Sequence, residues 1–270
     1  MYPSLGRLET WEQVGYSMTT IEVLKEGNLA VVQLSRGKSN PINTTMLKEL
    51  IACFEELKQD EQITGAILTG KHPFFSAGLD VIELYNYDNK QVVELFESLF
   101  LAIRTMLAFP KPLIAAISGH SPAGGCVLAL CCDYRIMAEG KYRIGLNEVP
   151  VGIVMPTFIY HLYESVIGSK LAMQFILEGK LLSTHEGEAC GLLDEVVHET
   201  QVLDKAKERF TFYTALNQRT WQFSKLNMRK SLLAHFSEFN DDLKEEILQH
   251  WWSDDTRRIL GGLVAQLTKK

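Results

Sequence analysis

The sequence predicts an α/β fold with a mostly parallel sheet, followed by a region made mainly of helices. Three observations predict it: short apolar runs rich in β-branched residues, apolar residues at helical spacing between those runs, and the loss of this alternation after Pro156. Neither a glycine-serine linker nor a low-complexity stretch divides the 270 residues. We therefore expect one core over residues 18–200, with a loose leader at 1–17 and a helical extension at 201–270.

The first predicted elements are two short strands and a helix. Ile21–Leu24 and Leu29–Leu34 are mainly apolar, and the intervening Glu26–Asn28 contains a glycine, which is typical of a hairpin. Asn43 is a suitable N-cap for a helix that runs to Gln59, because apolar residues recur there at helical spacing.

The alternation continues through the middle of the chain. A strand is predicted at Ile63–Thr69, and a glycine-containing loop at Gly70–Asp80 follows it. The next predicted elements are a helix at 89–107, a strand at 112–118, a helix at 123–132 and a strand at 134–138. Connections of this length favour parallel strands with right-handed crossovers.

After Pro156 the helical pattern dominates. The predicted elements are helices at 157–167, 169–177 and 184–190, a lone strand at 193–197, and three longer helices to the end.

The charge balance argues against nucleic acid as a partner. The chain carries 27 Lys and Arg against 33 Asp and Glu, which gives a formal charge of −6 and a pI near 5.7. Proteins that grip nucleic-acid phosphates usually show the opposite balance. No apolar run reaches the ~20 residues of a membrane-spanning helix, so we also expect no membrane span.

Cysteine usage and the N-terminal residues favour a cytoplasmic protein. The five cysteines match no zinc or redox motif, so we expect reduced thiols in the core, as in reducing compartments. The first residues contain no apolar signal core, and Glu9 and Glu12 are atypical of a basic transit peptide.

Two loops combine small residues with a position directly after a predicted strand. The first covers residues 74–80, and the second, 119–126, has Pro122 and two glycines before an apolar helix. Small residues let the backbone approach a ligand closely, and the first N–H groups of a helix have no partner within it. For each loop alone, a simple tight connection is the favoured interpretation, and neither loop has the Walker or dinucleotide spacing.

Glu148 is the third feature, because it is the only acid in the apolar segment 144–154. Burial would raise its pKa and cost stability unless the carboxylate had a partner or a chemical role. A solvated loop edge is the alternative, since unpaired glutamates are seldom fully buried.

These three segments, in this order and at these separations, resemble the crotonase superfamily, also called the enoyl-CoA hydratase/isomerase family. The resemblance runs from Thr20 to Leu233 and is closest to the mitochondrial-type Δ3,Δ2-enoyl-CoA isomerases. The stretches that carry it are Lys38-Ser-Asn-Pro, Phe75-Ser-Ala-Gly-Leu-Asp, Ser121-Pro-Ala-Gly-Gly-Cys, Cys132-Asp-Tyr-Arg-Ile and Ile144-Gly-Leu-Asn-Glu. The fold that the resemblance implies is a spiral of repeated ββα units with a helical C-terminal region.

The resemblance also implies roles for particular residues. Two backbone N–H groups that form an oxyanion hole fall on Leu79 and Gly124, and the catalytic carboxylate falls on Glu148. The implied substrate-binding residues are Ala77, Gly78, Leu79, Asp80, Val81, Gly124 and Asn147. The implied substrate is an acyl-CoA, so no metal and no separate cofactor are expected. Family members are commonly trimers or dimers of trimers, in which the C-terminal helices form trimer contacts and cover the pocket.

Departures from the family pattern narrow the expected chemistry. Hydratases use a second glutamate three residues after the oxyanion glycine, and Val127 stands at that position. Dienoyl isomerases add an aspartate shortly after the glutamate, whereas residues 149–163 contain no acid. The resemblance therefore implies a Δ3,Δ2-enoyl-CoA isomerase of fatty-acid β-oxidation. Thioester hydrolysis, decarboxylation and acyl-CoA binding without catalysis remain as alternatives.

Other polar residues have simpler interpretations. His120 is expected to make a structural hydrogen bond, and Asp133 to be a structural acid at the start of a strand. Lys225, Arg229 and Lys230 could meet the CoA phosphates, but a solvated helix face is the favoured interpretation.

Overall fold

The computed structural model describes residues 18–237 and 239–269, so the predicted leader at 1–17 lies outside the described residues. Its strands are β1 (Ile21–Glu26), β2 (Leu29–Leu34), β3 (Gly65–Thr69), β4 (Leu113–Ile117), β5 (Ser121–Pro122), β6 (Tyr134–Ala138), β7 (Ile144–Gly145) and β8 (Glu195–Val197). Its helices are α1 (Thr44–Gln59), α2 (Val81–Leu84), α3 (Asn89–Leu107), α4 (Gly124–Leu130), α5 (Thr157–Ile167), α6 (Ser169–Glu178), α7 (Thr184–Ala189), α8 (Val202–Thr214), α9 (Gln218–Ala234), α10 (Asp241–Trp251) and α11 (Asp254–Leu267).

Six strands form one sheet in the order β1-β2-β3-β4-β6-β8. β1 and β2 pair antiparallel as the predicted hairpin, and the other four pairings are parallel. β5 and β7 form a separate parallel pair. This alternation of strands and helices around a mostly parallel sheet confirms the predicted α/β fold.

Both faces of the sheet are buried, as expected for parallel strands covered by helices. Along β2, Ala30, Val32 and Leu34 pack into the core that contains α1 and α3, whereas Leu29 and Val31 pack into the one that contains α8. The alternation follows from the two-residue period of a strand. α8 lies across β3, β4 and β6, so the C-terminal region covers one face of the sheet.

Local signals explain where most helices begin. The Asn43 side chain accepts a hydrogen bond from the Met46 N–H at the start of α1, as predicted. The expectation of three helices after residue 201 was wrong, because the described residues of this region form four. Ser253 accepts a hydrogen bond from the Thr256 N–H and starts α11 directly after α10. The predicted boundary between a core at 18–200 and a helical extension at 201–270 stays a prediction.

The cysteines of the described residues are free thiols, and four of the five are buried. Within the same part of the chain, no helix is long and apolar enough to cross a membrane.

Lys225 is buried in α9, which corrects the expectation that the late basic residues face solvent. Its Nζ lies 2.7 Å from Asp133 Oδ2 and donates to the Lys111 carbonyl at 2.8 Å. Arg229 Nη2 lies 2.9 Å from the other Asp133 oxygen. Burial lowers the pKa of Lys225 to about 8, while the Asp133 carboxylate acts in the opposite direction. Of the three basic residues Lys225, Arg229 and Lys230, only Lys230 is exposed, as expected.

Asp133 is the structural acid that the sequence predicts. Its carboxylate accepts a hydrogen bond from the Leu113 N–H at 2.8 Å, in addition to its two basic partners on α9. It therefore connects α9 to the first residue of β4. Lys225 and Arg229 are both engaged in this structural contact.

Candidate active site

The first loop, residues 74–80, is held by backbone hydrogen bonds to the segment before α1. The Ala77 N–H donates to the Ser39 carbonyl at 2.8 Å. The Ile42 N–H donates to the Gly78 carbonyl, and the Asp80 N–H donates to the Ile42 carbonyl, both at 2.8 Å. The Leu79 peptide lies between the last two contacts, so its orientation is fixed on both sides.

Side chains reinforce this loop. The buried Asn40 donates to the Phe75 carbonyl at 3.0 Å, and the Ser76 hydroxyl donates to the Asn40 carbonyl at 2.7 Å. Arg36 Nη1 lies 2.6 Å from Asp80 Oδ2, and the other Asp80 oxygen caps α2. Charged and buried hydrogen bonds of this kind make the loop rigid.

The second loop enters α4 through an unusual backbone conformation. Ala123 has φ 51° and ψ −126°, a region that non-glycine residues rarely occupy. Its N–H donates to the Gly145 carbonyl at 2.8 Å, which links the loop to β7. Such a conformation costs about 1–3 kcal/mol and persists only where the surroundings impose it. It orients the Gly124 N–H at the first residue of α4.

The two loops are in direct contact at their glycines. A Cβ placed on Gly78 would lie 3.2 Å from the Gly124 nitrogen, and a Cβ placed on Gly124 would lie 3.5 Å from the Leu79 nitrogen. Gly78 also has φ +85°, which favours glycine. In the described part of the chain, neither the Leu79 nor the Gly124 N–H donates a hydrogen bond to another protein group. Two neighbouring N–H groups are thus available to one acceptor.

Glu148 lies on the segment that runs beside the second loop. β7 pairs in parallel with β5, with Ile144 opposite Ser121 and Gly145 opposite Pro122, so the chain after β7 continues alongside α4. Burial and then the Glu148 carboxylate raise the pKa of the Cys126 thiol in α4, which reflects this proximity. The residue is 8% exposed, so the solvated-edge alternative is excluded.

The environment of Glu148 favours a carboxyl group that titrates near neutrality. Burial raises its pKa from 4.5 to about 7, although the backbone N–H groups of Glu148 and Asn147 partly oppose the shift. Its Oε2 is buried and has no hydrogen-bond partner among the described residues. A general acid or base is most effective when its pKa lies near the working pH.

The other predicted site residues lie in the first loop, at the start of α2 and next to Glu148 in the chain. Asn147 is half-buried, and its Oδ1 has no partner in the described structure. Ala77, within the first loop, and Val81, the first residue of α2, are also half-buried. Val127 is buried in α4, and its N–H donates to the Ala123 carbonyl at 3.1 Å. An aliphatic side chain at this position cannot transfer a proton.

His120 makes the structural hydrogen bond that was expected. Its Nδ1 accepts from the Arg143 N–H at 3.2 Å, and its ring packs against Phe74 and Tyr142. Burial, together with the Arg143 charge, lowers its pKa.

Sequence reasoning missed two residues of α11 that touch the segments next to the site. The Thr256 hydroxyl donates to the Gly152 carbonyl at 2.7 Å, and Arg257 Nη2 donates to the Tyr85 carbonyl at 2.8 Å. No local sequence pattern marks such contacts, because the partners are more than one hundred residues apart in the chain.

Two cavities flank the segment that follows Glu148. A small cavity of about 30 Å³ lies between this segment, α3 and α10, where Phe96 and Trp251 line it together with Glu246 and His250. An open groove of about 630 Å³ lies on the other side, where Tyr160, Met173 and Leu177 line it. Of these two cavities, the open groove is the one with room for an apolar acyl chain.

Known proteins resemble this chain in sequence and in structure. A family model described as enoyl-CoA hydratase/isomerase matches residues 25–258. The mitochondrial enoyl-CoA delta isomerase 1 of Mus musculus is 38% identical over 213 residues, which cover 78% of this chain and 74% of the relative. A putative enoyl-CoA hydratase of Thermus thermophilus is 32% identical over 253 residues, which cover 92% and 97%.

A solved structure of an enoyl-CoA isomerase also has a fold similar to that of this chain. The crystal structure of human mitochondrial Δ3-Δ2-enoyl-CoA isomerase superimposes with a TM-score of 0.89 at 29% identity. The superposition covers 93% of this chain and 99% of the human one. This likeness confirms the expected crotonase-like fold with its helical C-terminal region.

Proposed function

The chain belongs to the enoyl-CoA hydratase/isomerase family, and from this premise we propose that it is a Δ3,Δ2-enoyl-CoA isomerase. The reaction moves the double bond of a 3-enoyl-CoA to the 2,3 position, as one step of unsaturated fatty-acid β-oxidation. One observation carries the proposal: the buried Glu148 carboxylate lies close to the Cys126 thiol of α4, the helix whose first residue, Gly124, has a free N–H group next to that of Leu79. Val127 occupies the position of the hydratase acid, and residues 149–163 supply no other acid.

The Leu79 and Gly124 N–H groups would bind the thioester oxygen. Removal of a C2 proton from a 3-enoyl thioester gives a dienolate, whose negative charge develops on that oxygen. Donors fixed before the reaction starts stabilise such a charge by roughly 3 kcal/mol each in other oxyanion holes. The contacts of the two loops supply this rigidity.

Glu148 would carry the proton between two carbons. Its carboxylate removes a proton from C2, and the C–H electron pair enters the dienolate. The resulting carboxylic acid then protonates C4, the C2–C3 double bond forms and the carbonyl is restored. One carboxylate therefore suffices, because the proton that leaves C2 returns at C4. Positioned acid–base catalysis of this kind typically contributes about 10²–10⁴-fold.

The substrate-binding residues stay part of this proposal. Ala77 to Val81 would line the thioester end of the substrate, together with Gly124 and Asn147. The unpaired Oδ1 of Asn147 supports a polar contact there. We propose no metal and no separate cofactor, because coenzyme A belongs to the substrate and the carboxyl group performs both proton transfers.

Incubation with a 3-enoyl-CoA tests the function. We expect the conjugated 2-enoyl thioester to form, which is followed by its ultraviolet absorbance, without release of free CoA thiol. Thiol release would instead identify a hydrolase, and loss of carbon dioxide from a suitable carboxyacyl-CoA would identify a decarboxylase. Acyl-CoA binding without any turnover would identify a binding protein, although such a pocket gains nothing from an unpaired buried carboxylate.

The activity should depend on pH through Glu148. Only the ionised carboxylate can accept the C2 proton, and its pKa is raised to about 7. We expect kcat/KM to fall about tenfold for each pH unit below 7 and to level off above it. A pH–rate profile checks this. A midpoint near the ordinary value of 4.5 would show that another group or an exposed carboxylate acts as the base.

We also propose the homotrimer or dimer of trimers that the resemblance implies. Phe212 on α8 is 56% exposed, and Phe223 and Met228 on α9 are 64% and 76% exposed. Large apolar side chains left exposed on these two helices support a contact with another copy of the chain. The cytoplasmic location stays a prediction, and the mouse relative is named as a mitochondrial protein.

A further inference from the structure

α11 contacts the segment that follows the first loop of the candidate site and the segment that follows Glu148. It contacts α2, which begins directly after Leu79 and Asp80, and the short turn Val149–Val151, which begins directly after Glu148. Leu260 on α11 is 1% exposed, so the helix is docked by burial as well as by polar contacts. Because α11 touches both segments, it can set the distance between them.

Thr256 attaches α11 to the segment after Glu148. Its side chain is buried, and its hydroxyl donates to the Gly152 carbonyl at 2.7 Å. Gly152 lies in a turn in which the Glu148 carbonyl accepts hydrogen bonds from the Val151 and Ile153 N–H groups. A Cβ placed on Gly152 would lie 3.3 Å from the Thr256 Cα, so the two backbones are in close contact.

The neighbouring Arg257 attaches α11 to α2. Its Nη2 donates to the Tyr85 carbonyl at 2.8 Å, and its guanidinium carbon lies 3.9 Å from the centre of the Tyr85 ring. Tyr85 closes α2 through a hydrogen bond from its N–H to the Val81 carbonyl. The N-cap of α2 is Asp80, the residue after Leu79.

We propose that Thr256 and Arg257 are positioning residues for the isomerase reaction. Through them, α11 holds the Glu148 segment and the Leu79 segment at a fixed separation, so that the carboxylate and the two neighbouring N–H groups of Leu79 and Gly124 face the same substrate. Neither residue needs to touch the substrate. An error of about 1 Å in the position of a reacting group can cost about 10²-fold in rate. The inference rests on the isomerase function proposed above.

Thr256→Val and Thr256→Ser test the first contact. Valine keeps the shape of threonine but cannot donate to Gly152, whereas serine retains the hydroxyl. We expect Thr256→Val to lower kcat by about 10-fold to 100-fold with little change in KM, in line with the cost of misplacing a reacting group. We expect Thr256→Ser to restore most of the rate. A structural role alone would lower the melting temperature but leave kcat per folded molecule unchanged.

Two adjacent glycines of α11 provide a matched pair for the second contact. A Cβ on Gly261 would lie 3.0 Å from the Tyr85 hydroxyl, whereas a Cβ on Gly262 would meet nothing within 4 Å. Both alanine substitutions raise helix propensity. We expect Gly261→Ala to reduce kcat several-fold by displacing Tyr85 from Arg257, and Gly262→Ala to keep full activity and raise the melting temperature.

Amide hydrogen exchange separates this proposal from the proposed function. In Thr256→Val we expect faster exchange at the residues after Glu148, and in Arg257→Met faster exchange at α2, each relative to wild type. Wild-type kcat in folded Thr256→Val, with unchanged exchange, would overturn the positioning role and leave the isomerase function intact. A wild-type enzyme without isomerase activity would overturn the proposed function. Unchanged exchange in Thr256→Val and Arg257→Met would then refute, independently of activity, the claim that α11 holds the two segments in place.

Discussion

Glu148→Gln is expected to lower kcat by about 10²–10⁴-fold while acyl-CoA binding is retained, because glutamine fills the same space but cannot accept the C2 proton. Steady-state kinetics on a 3-enoyl-CoA and calorimetric titration with a saturated acyl-CoA measure the two effects separately. Glu139→Gln, at an exposed glutamate, is the matched control and should behave as wild type. Turnover of Glu148→Gln at the wild-type rate would refute the assignment.

The same substitution should make the protein more stable at alkaline pH. The pKa of Glu148 is higher in the folded protein than its ordinary value, so the folded state binds the proton more tightly than the unfolded state does. The stabilisation from this bound proton is fully present below pH 4.5 and is lost as the pH rises through about 7. The rise in pKa from 4.5 to about 7 corresponds to about 3 kcal/mol in the free energy of unfolding. Denaturation at pH 8 should therefore show Glu148→Gln to be more stable than wild type by up to that amount. A loss of stability would mean that the carboxylate has a structural partner.

Gly124→Ala is expected to reduce kcat by about 100-fold to 1,000-fold, the usual cost of losing an oxyanion-hole contact. The new methyl group would lie 3.5 Å from the Leu79 nitrogen, so it would crowd the two N–H groups that we propose bind the thioester oxygen. The protein should still fold, because the closest atom is the tip of the Ile42 side chain at 3.0 Å.

Two further glycines control for the effect of the methyl group itself. Gly262→Ala adds the same group in open space and should leave activity unchanged. Gly125→Ala would bring a Cβ within 2.6 Å of the Ser76 carbonyl oxygen, so it should destabilise the fold. Gly124→Ala with activity within twofold of wild type would show that the thioester oxygen does not bind between these N–H groups.

The sequence predicts those parts of the fold that depend on local patterns. Asn43 caps α1 as expected, and the β1–β2 hairpin and α3 follow from the spacing of apolar residues. The two-residue strands β5 and β7 carry no such pattern, because they form through pairing with chain segments that are distant in sequence. The expectation that Lys225 faces solvent was wrong for a similar reason, since its half-buried partner Asp133 lies 92 residues away in the chain.

The candidate site could be predicted only in pieces. The residues alone indicate two loops and one acid, and they leave open whether Glu148 is buried. The resemblance assigns roles to Leu79, Gly124 and Glu148, while the structure provides the contact between the two glycine loops and the burial of the carboxylate. The contacts of Thr256 and Arg257 depend on how the last helix folds back, which no local pattern determines.

Transfer of a deuterium label from C2 to C4 tests the central claim, that one buried carboxylate moves the proton. A 3-enoyl-CoA with deuterium at both C2 positions is converted in ordinary water under single-turnover conditions, and the product is analysed by NMR. Because Glu148 is 8% exposed and would hold the deuteron between its two transfers, we predict that a substantial fraction of the product carries deuterium at C4. A product with only ordinary hydrogen at C4 after the first turnover would show that the proton at C4 comes from solvent or from a second acid, and it would contradict the single-carboxylate mechanism.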